Sequence, residues 1–314
     1  MEEKSENQNK INIKFKKINS NDYSIKLPKK KAFSIETPED QLRLHQLQAV
    51  VAGRGTGKGV ILSSLLQGMK KQNVMDRIFI LSPTIDSNRP IFENLNIKEE
   101  DEYHSADPSN IVYIIKKCNQ EADEWEEYLE LKKLYNLIHG ILDKETNIDS
   151  IDPNLLIRAL ESGILVKEPI SKYGHKPILG LIVDDFQGSN LYSANPKNLF
   201  INMCLRHRHI ARGMGVSIFM CMQTYAGPSG LPRTIRQNLT SLLLGPQKNL
   251  EVIEQIADEV GGQIEKDKFM SVFNEATKPD HPDKPNHNFL LIDFHPKNKS
   301  KYFRKNLNEY LITE

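Results

Sequence analysis

The chain has 314 residues, 39% hydrophobic and 26% charged, with 42 Lys and Arg against 41 Asp and Glu for a net charge of +1. That balance fits a soluble α/β protein of one large or two smaller domains and excludes a strong whole-molecule field toward nucleic acid. Three separated cysteines, Cys118, Cys204 and Cys221, give neither a disulfide framework nor zinc-ligand spacing; no apolar run reaches bilayer length and the first residues lack a signal peptide's apolar centre, so a reducing, non-secreted location without a membrane span is expected.

Residues 1–38 read as a basic arm, with nine lysines against four acids (Glu2, Glu3, Glu6, Asp22) in the first 31. Such an arm is either solvated and flexible or a contact for a phosphate backbone or anionic surface. The alternation of Ile11, Ile13 and Phe15 allows a short added strand. A turn and short helix at 35–40 lead into the first core strand at 47–52.

The stretch Gly53-Arg54-Gly55-Thr56-Gly57-Lys58-Gly59-Val60 comes next, and Ile61, Leu62, Leu65, Leu66 and Met69 then repeat at helical spacing. Strand, glycine-rich loop and helix together read as a P-loop. The glycines let backbone N–H groups turn inward on a polyphosphate, Lys58 adds a point charge, and the helix aims its positive end at the same place. Two positions depart from the usual pattern. Ala52 replaces the first glycine, and Gly59 replaces the Ser or Thr whose hydroxyl binds magnesium, which leaves that ligand to water or a neighbour.

A second buried strand is expected at 76–84, parallel to the first. Residues 90–177 lose the alternation and read as a largely helical insertion or lid, with Glu121, Glu124 and Glu127 on a solvated face. The strand at 177–183 ends in Asp184-Asp185, the second half of a nucleotide-hydrolysing site, with Asp184 assigned to magnesium and Asp185 to the attacking water. Residues 196–212 read as one amphipathic helix with a packed His207. Its Arg206, Arg208 and Arg212 form either a solvated basic face or a contact to DNA phosphates or a neighbouring subunit's nucleotide. The strand at 216–222 ends in Gln223, whose amide suits a sensor of water and γ-phosphate. After a break at 227–232 come Arg233 and Arg236, a strand at 239–244, two helices, a last edge strand at 287–294 and an uninformative tail at 297–314, so that the core spans 39–296.

In this order, the P-loop, Leu181-Ile182-Val183-Asp184-Asp185, Arg206-His207-Arg208-His209-Ile210, the strand ending in Gln223-Thr224, and Leu231-Pro232-Arg233-Thr234-Ile235-Arg236-Gln237-Asn238 resemble the genome-packaging ATPases of large double-stranded DNA viruses and virophages, within the FtsK-HerA superfamily. The resemblance spans about 47–262, with 90–177 unmatched. It implies an α/β, RecA-like (ASCE) P-loop NTPase with a mainly parallel central sheet flanked by helices. It also implies ATP and Mg2+ as ligands, a ring of identical subunits, double-stranded DNA and capsid or portal-vertex proteins as partners, and a place in the virion or the host cytoplasm. On the same basis Lys58 holds phosphates, Asp184 the metal, Asp185 the water, Gln223 is the sensor, and Arg236 or Arg233 is an arginine finger. Gly59 departs from the family's Ser or Thr. Other readings are a terminase-like or cellular DNA pump, or a nucleotide-binding assembly protein without turnover.

Overall fold

Alternation in the apolar strands sorts their side chains onto two faces, and helices cover both. The computed structural model describes residues 13–17, 37, 41–71, 74–142, 151–247, 249–260, 264–281, 283 and 286–313. Among these, one sheet contains β1 (Ile13–Lys17), β2 (Leu47–Val51), β3 (Arg77–Leu81), β4 (Glu102–Tyr103), β5 (Leu179–Val183), β6 (Val216–Met222), β7 (Ser241–Leu244), β8 (Leu290–Asp293), β9 (Phe303–Lys305) and β10 (Glu309–Thr313). The helices are α1 (Lys58–Lys71), α2 (Ile85–Phe92), α3 (Pro108–Leu142), α4 (Pro153–Glu161), α5 (Leu199–Leu205), α6 (Ile210–Gly213), α7 (Arg233–Arg236), α8 (Leu250–Val260) and α9 (Lys266–Thr277).

The strand order is β1-β10-β9-β8-β7-β2-β6-β5-β3-β4. From β7 to β4 all neighbours run parallel, and from β7 back to β1 they run antiparallel. The inserted strand β6 therefore separates β2, which feeds the glycine loop, from β5, which ends in the acid pair. Because these strands are parallel, the loops after β2, β3, β5 and β6 all leave at one edge. This is the RecA-like α/β arrangement expected from the sequence.

Leu47, Ala49 and Val51 of β2 share one face with Leu181, Val183, Ile218 and Met220, packed under α3, α5, α8 and α9. Val50, Ile80, Ile182 and Phe219 point the other way, onto Leu62 and Leu66 of α1 and Phe92 of α2. Burial of each such side chain contributes about 1.5–3 kcal/mol, so both helical layers are held firmly against the strands that carry the site.

Several expectations need revision. At 35 residues, α3 is about 50 Å long. Its first half buries Ile111, Ile114, Cys118 and Ala122 in the main core, and its second half packs Leu134 and Ile138 with Ala159 of α4 in a satellite core. The first half of α3 thus belongs to the main core, and its second half forms a separate core with α4. Glu121 does not lie on a solvated face: its carboxylate is 1% exposed and pairs with Arg77 at 2.8 Å and Lys172 at 2.6 Å.

The strand β8 is internal rather than at an edge, because the expected tail supplies β9 and β10 beyond it. Phe303 and Leu311 are buried in the main core, which is why those residues join the sheet. The added strand expected in the arm is present as β1, paired with β10; apart from it and Thr37, the arm lies outside the described residues.

Residues 196–212 are not one helix. Asn198 caps α5 by accepting from Phe200 N and Ile201 N, and α5 ends at Leu205. A 3-10 turn over His207–His209 follows, and Ala211 and Arg212 then take left-handed φ of 53° and 51°.

Candidate nucleotide site

The glycine loop leaves β2 with Ala52 N donating to Met222 O at 3.1 Å, which fixes its root against β6. Gly55 and Gly57 adopt φ of +78° and +83°, a region costly for residues with a Cβ. Thr56 Oγ1 donates to Gly53 O at 2.7 Å, and Lys58 Nζ reaches the same carbonyl at 3.3 Å. Ile61 N bonds Gly57 O at 2.9 Å, so the helix begins directly beneath the loop.

Two strands away, Asp184 is 5% exposed at the tip of β5. Burial and the adjacent Asp185 charge raise its carboxyl to about 6, against the opposing pull of the Lys58 charge, the Asp185 backbone N–H and the Cys221 thiol. Cys221 belongs to the intervening β6, and burial beside Asp184 raises its thiol well above its usual value, so it acts as a hydrogen-bond donor. Asp185 is exposed with a left-handed φ of 56°.

The loop after β3 and the helix α2 that follows it contribute polar groups that the motifs did not reveal. Thr84 Oγ1 donates to Asp185 Oδ2 at 2.9 Å, and Asn88 Nδ2 reaches Thr84 Oγ1 at 3.0 Å and Asp184 Oδ2 at 3.4 Å. Gln187 is a further addition. Its Oε1 accepts from Gln223 N at 2.7 Å and its Nε2 donates to Thr224 Oγ1 at 3.0 Å, tying the loop after β5 to the tip of β6. Sequence offered only a faint signal for each: polar residues within a few positions of a strand end.

The structure therefore brings Lys58, Asp184, Asp185 and Gln223 to one sheet edge. It does not bring Arg206, Arg208 or Arg212 there. These precede β6 and lie at the opposite edge, about 20 Å away along the strand, with Arg212 paired to Asp123 at 2.5 Å. Their distribution over a turn and two left-handed residues also removes the shared helix face that the sequence implied. His207 is packed as expected, its two ring nitrogens each 2.8 Å from a backbone carbonyl, of Cys204 and of His45.

Arg236, expected to cross to a neighbour, is instead bound within its own chain: it pairs with Glu259 at 2.7 Å, with its side chain 10% exposed. Arg233, the second candidate, is exposed on the preceding turn.

These residues fit a polyphosphate with a hard divalent cation. The loop offers a glycine cradle and an ammonium group, and Asp184 offers carboxylate oxygens, the donor type magnesium takes. Among the described residues no three His, Cys, Asp or Glu gather into a metal cage. At Gly59 a Cβ would lie 3.4 Å from Ile91 Cγ2 and 3.8 Å from Phe92 Cζ, ordinary contact distances.

No protein-family profile matches the sequence, and no curated protein matches it. Among solved structures, the chain is similar to ATPases 2 and 3 of EssC from Geobacillus thermodenitrificans, with 13% identity over 93% of this chain and 48% of that one and a TM-score of 0.45. It is also similar to the pCW3 conjugation coupling protein TcpA with ATPγS, with 12% identity, 85% and 61% coverage and a TM-score of 0.41. A third is the genome packaging NTPase B204 of Sulfolobus turreted icosahedral virus 2 in complex with AMPPCP, with 12% identity, 83% and 97% coverage and a TM-score of 0.39. The chain spans about half the length of the EssC chain it matches. Among the described residues, no helix is long and apolar enough to cross a membrane.

Proposed function

We propose that this chain is a magnesium-dependent ATPase of the FtsK-HerA type that moves double-stranded DNA, working as a ring of identical subunits that loads a viral genome into a capsid. The observation that supports it most is the convergence of Lys58, Asp184, Asp185 and Gln223 at one edge of a sheet whose inserted strand β6 bonds to both flanking loops.

In this reading Lys58 and the N–H groups of Gly53–Gly59 bind the phosphates, and Asp184 holds Mg2+, which draws off charge from the phosphoryl group. Asp185 accepts a proton from the attacking water, and Thr84 sets the direction of that carboxylate through its 2.9 Å hydrogen bond. Gln223 orients the water, and Gln187 carries any shift at that tip to the acid loop. Arg233, exposed where Arg236 is held by Glu259, is assigned as the finger toward a neighbouring subunit. Arg206 and Arg208, on the far edge, are assigned to DNA phosphates. Capsid or portal-vertex proteins are the partners of the packaging reading, which places the protein in the virion or the host cytoplasm.

A triplex-displacement assay tests the motor directly. Wild-type protein with ATP and Mg2+ is expected to strip a third strand from linear duplex DNA after a lag that lengthens with its distance from the end; ATP consumption without displacement would contradict translocation. Gly59 favours a second reading, a nucleotide-binding assembly protein without turnover. That protein would bind ATP with little metal dependence and release no phosphate.

A further inference from the structure

His287 belongs to none of the motifs above, yet its ring lies on the glycine loop. Nδ1 is 3.2 Å from Thr56 O, and a Cβ built on Gly57 would fall 2.8 Å from Nδ1 and 3.2 Å from Cε1. Gly57 takes a left-handed φ, and a Cβ there would push the imidazole off the loop. A carbonyl oxygen only accepts, so Nδ1 carries the proton in this contact. A trans peptide points its C=O and N–H in opposite directions from one plane. Drawing the Thr56 carbonyl toward His287 therefore turns the Gly57 N–H away from the ring.

The segment that carries His287 is itself braced. Asn286 Nδ2 donates to Thr277 O at 2.6 Å and its Oδ1 accepts from Asn288 N at 3.0 Å. Asn288 Nδ2 donates to Lys278 O at 2.8 Å, and Asn306 Nδ2 to Asn288 Oδ1 at 3.0 Å. Asn306 also accepts from Phe289 N at 3.0 Å, from a left-handed turn between β9 and β10 with φ of 54°. Three asparagines thus connect the end of α9 and the C-terminal hairpin to the two sides of His287. These bonds fix the backbone on both sides of the exposed imidazole, the support a positioning group needs.

We propose that His287 is a positioning residue for the nucleotide's polyphosphate: it latches the Thr56–Gly57 peptide so that the Gly57 N–H faces the phosphates, and the asparagine brace holds the latch. The inference rests on the nucleotide-site reading above. It also gives the C-terminal strands a role in ligand binding, since β9 and β10 present Asn306.

Isothermal titration of ADP, and of ATP in EDTA, tests it on the full chain. His287→Ala should weaken both by on the order of fivefold to tenfold, the effect of one net hydrogen bond. His287→Asn places an amide N–H where Nδ1 sits and should bind within about twofold of wild type. His287→Gln reaches toward the Nε2 position instead and should lose as much as alanine. Thermal midpoints without nucleotide should agree among the variants, which separates the latch from a general loss of fold. Wild-type binding with an unchanged His287→Ala overturns the latch alone, as do equal affinities for the Asn and Gln variants. No binding by wild type overturns the nucleotide reading and the latch together.

Discussion

Arg236 grips the Glu259 carboxylate with Nε and Nη2, at 3.0 and 2.7 Å from Oε1, while its Nη1 donates to Leu231 O at 2.7 Å. The guanidinium also stacks 5.3 Å from the centre of the Tyr225 ring, whose hydroxyl donates to Glu259 Oε2 at 2.7 Å. An arginine so engaged braces α7 against α8. Its removal leaves Glu259 and the Leu231 carbonyl short of a partner, so Arg236→Ala should lower unfolding free energy by about 2–4 kcal/mol in urea titrations. Arg233→Ala should stay within about 0.5 kcal/mol of wild type yet cut phosphate release by the assembled protein on the order of 10³-fold. Similar stability losses for both variants, or full turnover by Arg233→Ala, would reverse the assignment.

The protonation of Asp184 makes the ligand-free protein sensitive to pH. Its carboxyl is raised by burial and by Asp185 from 3.8 to about 6. The folded state then binds a proton more tightly than the unfolded chain. The contribution of Asp184 to stability is full below pH ~4 and is lost as pH rises through about 6, roughly 3 kcal/mol in all. Asparagine mimics the neutral form. In denaturation curves without nucleotide, Asp184→Asn should match wild type near pH ~4 and exceed it by roughly 2–3 kcal/mol at pH ~8. Parallel curves for the two proteins would show that the acid is not held in its neutral form by the fold.

Gly59 offers a gain-of-function test. The space beside it accepts a Cβ at ordinary contact distance from Ile91, and replacing a helical glycine contributes about 0.5 kcal/mol or more. Gly59→Ser should therefore fold at least as well as wild type. The added hydroxyl supplies an oxygen to the cation, so magnesium should improve ATP affinity about tenfold more in the variant than in wild type. Fluorescent-nucleotide titrations with Mg2+ and with EDTA measure this. An unchanged metal dependence would place the cation away from position 59.

Sequence carried the fold wherever period-two alternation met a strand tip of special chemistry. Leu47, Ala49 and Val51 before the glycine loop, Leu181 and Val183 before Asp184, and Met220 and Met222 before Gln223 each specify a buried parallel strand with its reactive end at one edge. What it hid depends on long-range pairing. Glu121 looks solvated until Arg77, 44 positions earlier, is folded against it, and His287 has no visible role until Thr56, 231 positions earlier, meets its ring. Arg236 carries the same charge free or paired, so only the placement of Glu259 decides its role. Apolar spacing over 196–212 continues past Leu205 as in one helix, while the backbone at Ala211 and Arg212 turns left-handed, which no spacing of side chains encodes.

Lys58 and Asp185 are proposed to act on one triphosphate. Phosphate release with ATP, Mg2+ and long linear duplex DNA tests it most directly, on wild type, Lys58→Ala and Asp185→Asn. Wild type should show DNA-stimulated release, Lys58→Ala should lose nucleotide binding and release, and Asp185→Asn should bind without release. Release by Lys58→Ala at the wild-type rate, or none by any of the three with DNA and metal present, would contradict it.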